Sequence, residues 1–167
     1  DTDMDTMKTF DNSNSFLLLL LVVLSTTAQA QINSTLTAQQ ETELAVQLAA
    51  DRPIAAGQSY WLEELTWMEI RDLIADGTTT IIIPTGGIEE NGPYLTTGKH
   101  NLILEATCPE IAEKLGNALC APIIKFVPEG NIEPPSGSML FPGTISLTQA
   151  TFEALLSDIA SSLKQSG

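Results

Sequence analysis

The chain of 167 residues is long enough for one domain with a sizeable hydrophobic core. A content of 43% hydrophobic and 17% charged residues excludes a disordered chain and a fibrous repeat. Acidic residues outnumber basic ones by 21 to 7, and the resulting net charge of −14 argues against a nucleic-acid partner because it repels phosphate backbones.

Residues 1–30 have the pattern of a secretory signal peptide. Lys8 supplies a weak positive start, residues 16–24 are apolar without interruption, and Ala28-Gln29-Ala30 matches the small-x-small site of signal peptidase. The apolar run is shorter than the roughly 20 residues that a membrane-spanning helix needs. We therefore expect an exported protein, periplasmic or secreted, with no stable membrane anchor after cleavage. A membrane anchor that is retained is the alternative.

Residues 31–59 are predicted to form a helical arm and a linker ahead of the folded domain. Thr37 is suited to cap a helix that continues to Ala50, and Pro53 cannot extend that helix. The folded domain is expected to cover residues 60–167.

Within that domain, helical periodicity alternates with β-branched apolar runs. The order of strand, helix, strand and helix is typical of a parallel sheet with helices on its faces. The predicted fold is therefore α/β, a three-layer α/β/α domain with a mainly parallel sheet. No strand follows the last helix in the sequence, so we expect a truncated domain whose sheet is incomplete at the C-terminus.

Capping and breaking residues set the predicted boundaries of these elements. Thr66 and Glu69 have the spacing of a capping box at the start of the first helix, and Ser146 and Gln149 have it before the last. The predicted strands cover residues 78–83 and 121–127, and the predicted helices cover residues 66–77, 101–115 and 148–165. The two strands should lie side by side and parallel.

The chain has two cysteines, Cys108 and Cys120. Export would permit a disulfide between them. Cysteine is also among the most frequently buried residue types, which favours two unpaired core residues.

A ligand-binding or catalytic site is expected in the loops that follow the two strands, because ligands of open α/β sheets bind beyond the carboxyl ends of the strands. The first loop, residues 85–101, contains the only histidine, His100, and two adjacent acids, Glu89 and Glu90. Carboxylate and imidazole are ligands of zinc and manganese. The alternative is that His100 is an exposed or capping residue at the start of a helix.

These loops resemble the creatininase (creatinine amidohydrolase) family. The family signature reads Gly-Ser-Thr-Glu-Gln-His-Gly-Pro-His-Leu-Pro-x-x-x-Asp, and Glu89, Gly92-Pro93 and Leu95 match its Glu, Gly-Pro and Leu. Residues 141–147 read Phe-Pro-Gly-Thr-Ile-Ser-Leu and are similar to a second stretch of the family. The resemblance extends over residues 61–167 and implies a metal-binding role for Glu89.

This chain departs from the family pattern at two positions. Asn91 stands where the family has a His ligand, and His100 stands where it has a bridging Asp. Because Asn is a poorer zinc ligand than neutral imidazole, we expect Glu89 and His100 to hold one Zn or Mn ion rather than two. We assign Asn91 and Glu133 to substrate binding.

Three acids in or near the loops could act as a general base, namely Glu90, Glu129 and Glu133. The competing interpretation, which we favour for each, is a solvated loop carboxylate.

The resemblance implies a metal-dependent hydrolase of C–N bonds in small amides, cyclic ones included. Its partner would be a small-molecule amide, and the full-length protein is expected to be a homo-oligomer. The fragment alone is expected to be inactive. The alternative function is a catalytically inactive binding or scaffold domain of the same family.

Overall fold

The structure of the protein, a computed structural model, describes residues 36–166. The predicted signal peptide lies outside the described residues. The chain divides into two compact units, with the boundary between Ala50 and Asp51. Residues 51–59, which we had assigned to the arm, therefore belong with the second unit. Within residues 36–166, no helix is long and apolar enough to cross a membrane.

The described part of the first unit is helix α1, Ala38–Ala49. Its start is the predicted one, because the Thr37 hydroxyl accepts from the Gln40 N–H and the Gln40 side chain accepts from the Thr37 N–H. None of its residues is buried. The helix is stabilised locally, through its cap.

The second unit begins with a 3₁₀ turn, Leu62–Glu64, and helix α2, Trp67–Ala75. The predicted capping box is present, because the Glu69 N–H donates to the Thr66 hydroxyl and the Glu69 carboxylate accepts from the Thr66 N–H. Glu69 is 6% exposed and also accepts from the Gly57 N–H. One carboxylate thus caps α2 and holds residue 57 against it.

The sheet consists of strands β1, Thr80–Ile82, and β2, Ala118–Cys120, which pair in parallel. The predicted α/β fold and its parallel pairing are confirmed. The predicted position of the second strand, residues 121–127, is wrong. Pro122 has no N–H to donate, so the regular ladder ends before it. Beyond this point the pairing continues only as isolated contacts, such as the hydrogen bond from the Ile124 N–H to the Pro84 carbonyl.

Helix α3, Lys99–Leu115, connects the two strands and ends at Gly116, which has the left-handed conformation. It packs against β2, and the core between them contains Cys108, Ala112, Ala118 and Cys120.

The two cysteines form a disulfide, with 6.2 Å between their Cα atoms. Our expectation of unpaired core cysteines is therefore wrong, although both residues are buried as predicted, at 1% and 0% exposure. The packing of α3 on β2 brings their side chains together.

The last element is helix α4, Gln149–Ser166. The predicted capping box of Ser146 and Gln149 is wrong. The Thr148 hydroxyl accepts from the Thr151 N–H at the helix start, and Ser146 is buried among loop contacts. One face of α4 is partly buried, through Phe152, Leu156, Ile159 and Leu163.

Candidate functional site

The two loops predicted to carry chemistry lie against each other beyond the sheet. Ile88 of the first loop and Ile145 of the second family-like stretch, residues 141–147, form an antiparallel bridge, in which the Ile145 N–H donates to the Ile88 carbonyl at 2.9 Å. Val127 and Ser146 form a parallel bridge. Both family-like motifs therefore meet at one place in the fold.

Asn101, in the first turn of α3, fixes the first loop to the helix. Its side chain is 5% exposed, donates to the Gly87 carbonyl at 3.1 Å and accepts from the Gly87 N–H at 3.3 Å. A Cβ atom on Gly86 would lie 1.9 Å from the Asn101 Oδ1 atom, so only glycine fits there. The sequence analysis did not identify Asn101, which positions the loop that carries Glu89.

Glu89 and His100 are brought together as predicted. The His100 Nε2 atom lies 2.8 Å from the Glu89 Oε1 atom, and the Ser138 hydroxyl donates to the other carboxylate oxygen at 2.9 Å. Burial acts to raise the pKa of Glu89, but hydrogen bonds from Ser138, Glu129 and His100 outweigh it and hold that pKa below its ordinary value. Glu89 is thus an ionised carboxylate, and the imidazole N–H donates to it.

Glu129 is the acid that the sequence analysis placed wrongly. It is partly buried, and its carboxyl group lies close enough to Glu89 for the two to share a hydrogen bond when one of them is protonated. Burial, this hydrogen bond and the negative charge of Glu89 raise the pKa of Glu129 to about 7. Glu129 and Glu89 therefore form a carboxyl pair beside His100.

The other loop residues singled out in the sequence make different contacts. The Asn91 amide group donates to the backbone carbonyls of Glu89, at 3.0 Å, and Thr96, at 3.3 Å, so it braces the loop. The Glu90 carboxylate accepts from the Gly92 N–H. Glu133 is exposed, and no hydrogen bond or ion pair described within residues 36–166 joins it to Glu89 or His100. Substrate binding by Asn91 and Glu133 stays a prediction.

The donor atoms of this site suit a divalent cation. Imidazole nitrogen and carboxylate oxygen are the ligand types of zinc, and two adjacent carboxyl groups favour a positive ion between them. Within residues 36–166, however, no three His, Cys, Asp or Glu side chains are arranged around one ion position. The structure thus brings two donors into direct contact, and Glu129 reaches the same place through Glu89.

The fold and the site define an α/β protein with a carboxylate–imidazole pair beyond its parallel strands. The profile of the creatininase family, described as creatinine amidohydrolase, matches residues 63–167, so the chain belongs to the creatininase family.

Individual relatives agree with this assignment. Creatinine amidohydrolase of Pseudomonas putida is 31% identical over 110 residues, which are 66% of this chain and 42% of the relative. Crystalline creatininase is similar with a TM-score of 0.59 at 31% identity, over 66% of this chain and 42% of that one. A mutant creatininase of the Zn-Zn type and a creatininase Mn structure have the same identity, coverage and TM-score. The chain therefore spans less than half the length of these relatives.

Proposed function

We propose that this chain belongs to a metal-dependent amidohydrolase that cleaves C–N bonds in small amides, cyclic ones included. The observation that carries the proposal is the contact of 2.8 Å between Glu89 and His100 in the loop that matches the family signature. The similarity to creatinine amidohydrolase supports the amide substrate class. No separate observation favours the alternative of an inactive binding domain.

The proposed cofactor is a divalent metal, zinc or manganese, because related creatininases are of the Zn-Zn type or are designated Mn. Glu89 and His100 would hold it. When bound, such an ion polarises an amide carbonyl and lowers the pKa of a water molecule that attacks it. Because the Asn91 amide is engaged by two backbone carbonyls, we propose one ion at this site.

The residues of the chain itself orient these donors. Ser138 holds one carboxylate oxygen of Glu89 and leaves the other directed at His100. Asn101 holds the loop against the helix that carries His100. Because Nε2 is the ring nitrogen directed at Glu89, metal binding through that atom would use the imidazole tautomer that carries its proton on Nδ1.

Activity is tested on a protein that contains this chain at the full length of the relatives. We expect it to hydrolyse members of a panel of small cyclic and linear amides, detected by mass spectrometry. Removal of metal with a chelator should abolish turnover, and added Zn²⁺ or Mn²⁺ should restore it. Turnover that is unchanged by the chelator would contradict the proposal. We propose a homo-oligomer for the same protein, to be checked by light scattering.

We also propose that the protein is exported. The pattern of residues 1–30 supports this, and so does the disulfide between Cys108 and Cys120, because disulfides persist in oxidising compartments. In a Gram-negative host, mass spectrometry of the periplasmic protein should find Gln31 at the N-terminus. An uncleaved chain in the membrane fraction would contradict the proposal.

A further inference from the structure

Helix α3 is attached to the rest of the second unit at few points. Of its 17 residues, Asn101, Cys108 and Ala112 are the buried ones. Its larger apolar side chains are exposed, namely Leu102, Ile103, Ile111 and Leu115. The packing of α3 on β2 rests on Ala and Cys side chains, which bury little apolar surface. Apolar packing therefore contributes little to the attachment of this helix.

The Cys108–Cys120 disulfide joins α3 to a fixed position in the sheet. Cys120 lies in β2 and pairs with Ile82 of β1. At the other edge of β2, the Cys120 N–H donates to the Tyr60 carbonyl at 2.7 Å. The disulfide therefore anchors the middle of α3 to backbone that is hydrogen-bonded on both sides.

The same disulfide links the two elements that carry the site. Glu89 lies in the loop that follows β1, and the partner strand of β1 contains Cys120. His100 lies in the first turn of α3, and Cys108 lies about 12 Å further along the helix axis. The position of His100 relative to Glu89 therefore depends on how α3 is held on the sheet.

At its start, α3 is held by hydrogen bonds. The Asn101 side chain bonds to the Gly87 backbone at 3.1 and 3.3 Å, and the His100 Nε2 atom lies 2.8 Å from the Glu89 Oε1 atom. The His100 side chain is 38% exposed, so water competes for its bond. Contacts at one end leave a helix free to pivot about that end. The disulfide is the second fixed point, about two turns away, and prevents this motion.

Resting on the proposed function, we infer that the Cys108–Cys120 disulfide positions His100 beside Glu89, so that the site is complete only in the oxidised chain. The bond forms when a small-molecule disulfide accepts two electrons and the two thiol protons and leaves as two thiols. Because both sulfurs are buried in the folded protein, the bond then resists reduction. An exported chain therefore completes its site outside the reducing cytoplasm.

The first test is amide hydrogen exchange of the 167-residue chain, which needs no metal. The oxidised wild type is compared with the double variant Cys108→Ala, Cys120→Ala and with wild type refolded in reductant. In both, peptides from α3 should exchange faster than in the oxidised protein, because the helix opens locally without its anchor. Peptides from α2 should exchange as in the oxidised protein. Unchanged exchange in α3, or equal acceleration in both helices, would overturn the inference.

The second test is Zn²⁺ affinity, measured by competition with a chromogenic chelator in a protein that contains this chain at the full length of the relatives. The double cysteine variant should bind about 10–100-fold more weakly than the oxidised wild type, which is the usual loss when a group that orients a ligand is removed. Two matched controls should bind as the wild type does. Thr66→Ala removes the cap of α2 and lowers stability away from α3. Glu110→Gln removes an exposed charge on α3.

The outcomes separate this inference from the proposed function. If the oxidised wild type binds Zn²⁺ and the double cysteine variant binds it equally well, the inference is wrong and the proposed site stands. If Thr66→Ala loses as much affinity as the double variant, the loss reflects stability, and the inference is again wrong. If the oxidised wild type binds no Zn²⁺, the proposed site is wrong and the inference falls with it.

Discussion

Removing the Cys108–Cys120 disulfide should destabilise the second unit by an amount that its loop length determines. The bond closes a loop with a sequence separation of 12 residues. The chain-entropy relation for a loop of this size gives about 3 kcal/mol of stabilisation at 25 °C. For a domain of roughly a hundred residues, this corresponds to a decrease in melting temperature on the order of 10 °C.

The assay is thermal unfolding followed by circular dichroism, comparing the oxidised wild type with the double variant Cys108→Ala, Cys120→Ala. A reducing agent should lower the melting temperature of the wild type and leave that of the double variant unchanged. Because both sulfurs are buried, reduction should require unfolding. Equal melting temperatures for the oxidised wild type and the double variant would refute the reasoning. So would a wild-type protein whose two thiols react with an alkylating agent in denaturant without reductant.

Two further predictions concern Glu69 and Gly87. Hydrogen bonds from Gly57 and Thr66 lower the pKa of Glu69 from 4.5 to about 2. Its stabilisation is therefore complete at neutral pH and is lost as the pH falls from 4.5 toward 2. In urea unfolding, Glu69→Gln should make the free energy of unfolding less dependent on pH over this acidic range. The same pH dependence in variant and wild type would contradict the prediction. Gly87→Ala should destabilise by about 1–3 kcal/mol through strain alone, and further because its Cβ meets Glu129. Gly77→Ala is the matched control, because Gly77 has a φ of +102° and no atom lies within 4 Å of an added Cβ. If both variants lose the same free energy of unfolding in urea, the clash with Glu129 is contradicted.

The parts of the fold that the sequence predicted correctly are local or periodic. Thr37 and Thr66 cap helices through partners three residues away, and these pairs are visible in the sequence. The parallel pairing follows from the alternation of strands and helices. The position of β2 could not be predicted, because the pairing partner and Pro122 decide where the ladder ends. The disulfide depends on the packing of α3 against β2, which the spacing of the cysteines does not reveal.

Only the site residues that lie within the family motif could be predicted from the sequence. Residue types and the resemblance to the family signature indicated Glu89 and His100, and the two residues lie together. Ser138 contacts Glu89 across 49 residues of sequence, and no pattern indicates such a contact. Glu129 could not be distinguished from other loop acids, because its position depends on Ser146 in the next motif and on the missing side chain of Gly87.

The most direct test of the central claim is the amount of zinc that the protein retains in equilibrium dialysis. In a protein that contains this chain at the full length of the relatives, the wild type should bind at least one ion, and Glu89→Gln and His100→Gln should each abolish binding, because each removes a direct donor. Glu110→Gln should bind as the wild type does. Zinc retained undiminished by both the Glu89 and the His100 variants would show that the metal lies elsewhere and that the assignment of this site is wrong.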